Sequence, residues 1–196
     1  MLKAKKFMIP AILAAMSLTM MTACKGKEAP ADATTAAEAA TQAAETTTEA
    51  AETTTEAAKD LSSAVDDYLE QMDTMNKAAE EFITISMEFM QLAQDNPEDL
   101  DGLTECIEKT RATKKAFADF AVLDTVPEGL EEAHERLAKA AASYADTLEV
   151  YCDVLLASVK GEEHEAMATI QDDWTAVATE LSEAMGAAEE AANALK

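Results

Sequence analysis

The sequence predicts an all-α fold, an antiparallel up-down four-helix bundle, on three observations. Glycine and proline together number nine in 196 residues and aromatic residues make up only 5%, so strands and tight turns lack their usual residues while Ala, Glu, Leu and Met favour helix. From Asp60 onward the apolar residues recur at alternating steps of three and four, the spacing of one buried helix face. The breaks between these runs are short, which makes successive helices antiparallel neighbours.

The first helix is expected over 60–94, with Leu61, Val65, Tyr68, Met72, Met75, Ala79, Phe82, Ser86, Phe89 and Ala93 as its seam. Leu69, Ile83, Ile85 and Met90 widen that apolar face. Asn96-Pro97 ends it and starts the second helix, 97–121, with Asn96 as N-cap and Pro97 at the first helical position. Its seam is Leu100, Leu103, Ile107, Thr110, Phe117 and Phe120. The second helix is the shortest, so Val122 to Val126 is read as an extended connection that climbs the bundle and buries Val122, Leu123 and Val126 as a cap. Pro127 is expected to open the third helix, 127–160, whose seam runs from Leu130 and His134 through Tyr144 and Tyr151 to Ser158, and Gly161 closes it. The fourth, 162–195, follows at once with His164, Met167, Gln171, Trp174, Leu181, Met185, Ala188 and Leu195.

The region before Asp60 has a different character. Lys3, Lys5 and Lys6 form a basic start and Phe7 to Met21 an apolar run too short for a permanent span, and Met21-Thr22-Ala23-Cys24 follows. Residues 1–24 resemble the signal and lipobox of bacterial lipoprotein precursors, with Met21 where leucine is commonest. The resemblance implies removal of 1–23, lipidation of Cys24, palmitate among the acyl groups, and an anchored position on the outer face of the cell membrane. From Lys25 to Lys59 the chain is almost entirely Ala, Thr and Glu, and Glu45 to Ala51 repeats without change as Glu52 to Ala58. With no large apolar residue to bury, 24–59 reads as a disordered tether, a plain spacer or a threonine-glycosylated stalk. Lipobox and stalk together look like the surface lipoproteins of Gram-positive bacteria.

Charge narrows the function classes. The formal net charge is −24, and removal of the three signal lysines takes it to −27, which argues against nucleic acid and against adhesion to an anionic membrane surface. Residues 60–196 hold 32 acidic and 9 basic side chains, with Lys109, Arg111, Lys114 and Lys115 clustered on the second helix. That cluster is read chiefly as a complement to neighbouring acids, with a docking patch for an anionic polymer or partner as the alternative.

Candidate sites are few. Glu131-x-x-His134 is half of a carboxylate-bridged di-metal signature, but Gly161 stands three before His164, and helical rise sets the two histidines roughly 36 Å apart. Asp99-x-Asp101-Gly102 imitates part of a calcium loop, yet Pro97 replaces its first ligand and the same residues suit a helix start. At one end of the bundle Met87, Met90, Met167 and His164 lie at similar heights, a weak arrangement for haem or soft-metal ligation that equally suits core packing. At the other end His134 is level with Tyr68 and Ala188, where a small pocket is possible beside a histidine that a neighbour such as Asp67 or Glu131 would otherwise satisfy. Cys106 and Cys152 fall at similar heights on adjacent helices, which permits a disulfide or two small buried hydrophobes. No nucleotide cradle, nucleophile elbow or metalloprotease helix occurs in the sequence. The expectation is a non-enzymatic interaction module with no cofactor, a lipid tie to the membrane and an envelope or extracellular protein partner. The alternative is a carrier or sensor of haem, a metal or an organic solute between the helices.

Overall fold

The structure, a computed structural model, describes residues 48–196, with side chains from Asp60 onward. Residues 1–47, which hold the expected signal segment, Cys24 and most of the expected tether, lie outside the described residues. Four helices follow in order: α1 (Thr48–Asp95), α2 (Leu100–Ala121), α3 (Glu131–Lys160) and α4 (Ile170–Ala194), with a short 3-10 turn (Glu165–Ala168) before the last. No strand occurs among the described residues. Consecutive helices pack along their lengths, the up-down bundle that the seams predict.

Most of the seam residues form the core; Gln171, placed in the α4 seam by spacing, is exposed. Val65, Met75, Leu103, Ile107, Phe117, Leu137, Tyr144, Leu148 and Tyr151 are fully buried, and Trp174 is 1% exposed. Each such leucine or valine contributes about 2 kcal/mol of burial. Leu100, placed in the seam by spacing, is instead 47% exposed, because it is the first residue of α2 and stands at the bundle's end.

The helix ends differ from the expected boundaries, each for a local reason. α1 begins at Thr48 rather than near 60, so the second Thr-Thr-Thr-Glu-Ala-Ala block belongs to the helix. Extending an existing helix costs much less than nucleating one, and α1 is already anchored by its packed face. α2 starts at Leu100, not Pro97. Asn96 to Asp99 make a turn (Asp99 N–H to Asn96 O, 3.1 Å), and Asp99, not Asn96, caps the helix by accepting from Gly102 N at 3.0 Å. α3 starts at Glu131, not Pro127. Pro127 opens a turn closed by Leu130 N–H to Pro127 O (3.0 Å), whose third residue, Gly129, has φ +92°. α4 is preceded by Glu162 and Glu163 outside any helix and by the 3-10 turn, so the segment expected to start at 162 becomes regular only at Ile170. Gly161 does close α3 in the left-handed region, at φ +71°.

The connection after α2 caps the bundle only in part. Leu123 and Val126 are half-buried against the core and Pro127 is buried, but Val122 is 74% exposed. Val122 still belongs to the helix terminus, donating its N–H to Asp119 O at 3.3 Å, and this points its side chain outward.

Cys106 and Cys152 are free thiols in the structure, both buried; the bond that their heights permit is not formed. Burial raises both thiol pKa values, that of Cys152 to about 12.

Candidate functional site

The α2 basic cluster is tied up within the bundle. Arg111 reaches across to α3, pairing with Glu149 and with Asp153 (3.0 Å), while Glu108 stands 3.5 Å away on its own helix. Lys114 also binds Glu149, Lys109 pairs with Glu105 at 2.8 Å and Lys115 pairs with Asp119. On the other side of α3, Arg136 holds Glu180 (2.9 Å) and Glu183 (3.1 Å) of α4. Arg111, Lys114 and Arg136 stitch α3 to its neighbours, while Lys109 and Lys115 pair within α2.

At the upper end the structure brings Tyr68 and His134 together, with the hydroxyl 3.3 Å from Nδ1. Burial pushes the Tyr68 phenol up to about 12, so it keeps its proton and donates to the neutral ring. Burial also lowers the His134 pKa, against an opposing hydrogen bond to the Leu123 backbone. Phe120 completes an aromatic triangle, its ring centroid 5.6 Å from Tyr68 and 5.4 Å from His134. Ala188 is fully buried. Glu131 does not serve His134; it accepts from Gly129 N at 2.9 Å and braces the turn.

At the lower end the candidate ligands differ in exposure and in contacts. His164 Nδ1 accepts from Ala166 N (3.2 Å) and caps the 3-10 turn. Met87 is 51% exposed, whereas Met90 and Met167 lie half-buried against the core. Among the described residues no three His, Cys, Asp or Glu side chains gather as a metal set.

Two features were not read from the sequence. The first is the contact between α1 and α4, which is loose while the three consecutive pairs are closely packed. Lys196, just past α4, pairs with Asp66 at 2.5 Å, so the Asp66 flank of α1 faces α4. Helical repetition carries that flank through Leu69, Asp73, Glu80, Ile83, Met87 and Met90. The α4 flank opposite Glu180 and Glu183 presents Ala178, Ser182 and Met185. Leu69, Ile83, Met90, Ala178 and Met185 are only partly buried there.

The second is an aromatic cluster in the middle of the core. Trp174 stacks on Phe82 with ring centroids 4.9 Å apart and a 28° interplanar angle. It also meets Tyr144 (4.9 Å) and Tyr151 (5.3 Å), and Tyr144 meets Phe117 at 4.5 Å. The Tyr144 and Tyr151 hydroxyls are buried and have no hydrogen-bond partner. Two tyrosines seven residues apart in one seam were the available signal, since that spacing turns both hydroxyls into the core.

Compared with protein-family models, with curated proteins and with solved structures, the chain matches none.

Proposed function

We propose that this chain is a lipid-anchored extracytoplasmic protein whose helical domain acts without catalysis, as a docking module for an envelope or extracellular protein. The observation that carries the reading is the loose α1/α4 face. Partly buried Leu69, Ile83, Met90 and Met185 and exposed Met87 give it apolar character, and Asp66, Asp73 and Glu80 lie along its α1 edge. Seven of the nine basic side chains in 60–196 are already in ion pairs, and the region carries 32 carboxylates. The fitting partner is therefore a basic amphipathic helix, which would lay its apolar stripe between α1 and α4 and set its cations beside the α1 acids. A haem or metal carrier built on Met87 and His164 is disfavoured by Met87's exposure and by the capping role of His164 Nδ1.

The test is site-specific photocrosslinking on intact cells, with the reactive residue at Met87 or, on α3, at Val150. A discrete protein adduct is expected from position 87 and not from 150. Equal adducts from both positions, or none from 87, would sink the docking reading. In the same cells Cys24→Ala is expected to release the chain from the membrane fraction, and retention there would count against the lipid anchor.

A further inference from the structure

The large majority of buried polar side-chain atoms in native cores have a partner, and a hydroxyl buried without one is costly. Here two stand in one cluster, on the core face of α3, and both are fully buried. An apolar core would be served as well by phenylalanine at either position, so packing does not account for the two oxygens. Their setting has a direction. Phe82 of α1 and Trp174 of α4 stack on each other across the one seam of the bundle that is not closely packed, and Tyr144 and Tyr151 meet Trp174 from α3 behind them.

We infer that the Phe82/Trp174 stack is the gate to an internal binding site for a flat, uncharged, apolar molecule bearing acceptor oxygens, which enters between α1 and α4 and takes hydrogen bonds from Tyr144 and Tyr151. Each element of that ligand class follows from the residues. Planarity matches the Phe82–Trp174 stacking: the two rings, in contact at 4.9 Å, would part to take a flat molecule between them. Acceptor oxygens suit the two phenolic O–H donors, which have no acceptor of their own; burial drives their pKa values upward, so the protons stay on. The ligand is neutral because no ionised side chain belongs to the cluster to balance a buried charge, and the strongly acidic surface repels anions. The site sits in mid-bundle, apart from the Tyr68–His134 pair and from the Met/His end. It rests on the ligand-carrying alternative rather than on partner docking.

Trp174 is the only tryptophan in the chain, so its fluorescence reports this site alone. The probe is 2,3-dimethyl-1,4-naphthoquinone, planar, neutral and bearing two acceptor oxygens, with both ring positions blocked against the buried thiols. Titrated into the whole chain, it is expected to quench Trp174 saturably. The Tyr144→Phe/Tyr151→Phe variant keeps both rings and is expected to bind about tenfold more weakly, since two neutral hydrogen bonds are worth about 1.4 kcal/mol or more together. The single variants, each expected to weaken binding about threefold, serve if the double variant loses its helical circular dichroism. Saturable quenching with the same affinity in the phenylalanine variants would overturn the proposed site while leaving a ligand-binding bundle. Quenching that rises linearly without saturation would overturn both.

Discussion

One hydrogen bond joins Tyr68 and His134, and the phenol is its donor while the imidazole is neutral. Burial lowers the folded-state pKa of His134 below its ordinary value of 6.5. A histidine depressed in this way contributes stability that is fully present above the unfolded pKa and is lost as pH falls from there toward the folded value. The stability advantage of wild type over His134→Gln is therefore expected to shrink between pH 7 and pH 5, read from urea unfolding at the two values. A constant difference would mean that the ring is not held neutral. The meeting of Tyr68 and His134 was legible from helical rise, because both sit in regular helices at the same height. Phe120 and the Leu123 backbone were not. Both belong to the end of α2 and its exit, where the chain stops being periodic and spacing no longer fixes direction. The Tyr144 and Tyr151 hydroxyls were missed for another reason: sequence spacing says that a tyrosine faces the core but cannot say that its oxygen meets nothing there.

Helix termini are where local sequence and packing compete, and two glycines separate their effects. Gly102 stands in the first turn of α2, where an added Cβ would lie 2.7 Å from Asp99 Oδ2 and 2.9 Å from the Leu92 side chain of α1. Gly186, in the middle of α4, has nothing within 4 Å of that position. In an ordinary helix interior, alanine is favoured over glycine by about 1 kcal/mol. Gly186→Ala is expected to stabilise by about that amount. Gly102→Ala is expected to destabilise by about 1 kcal/mol, because it displaces the cap that closes α2 and presses on the α1/α2 contact. Chemical denaturation of both variants checks this pair, and stabilisation by both would refute the steric account of Gly102. The same competition explains the boundaries read wrongly from sequence. Pro97 and Pro127 each suit a first helical position, yet each lies in the turn before its helix. Asp99 supplies a better cap for α2, and Gly129 supplies the positive φ that the turn before α3 needs.

Across the whole molecule the seams were enough to give four helices and their order, since burial periodicity depends only on the chain's own spacing. The unequal closure of the ring was not legible, because Ala178 and Ser182 fit a tight interface as well as a loose one. Net charge acts at this scale too. Residues 60–196 carry a net −23, and most of their carboxylates have no cation beside them. Raising sodium chloride from low to physiological concentration is expected to lift the melting temperature by about 3 °C, as screening relieves self-repulsion faster than it weakens the exposed ion pairs. A fall in melting temperature would mean that the α2/α3 and α3/α4 ion pairs dominate.

The length of α1 also has a mechanical meaning. Its backbone runs unbroken from Thr48, roughly 18 Å beyond the level of Asp60 and in line with the part packed against α2. A pull on the N-terminal side therefore travels down the helix axis and loads the α1/α2 interface in shear, all its layers at once, rather than peeling them apart one by one. Because α1 grips α4 only loosely, that single interface bears the load, and its failure would free α1 as one rod from a remaining three-helix body.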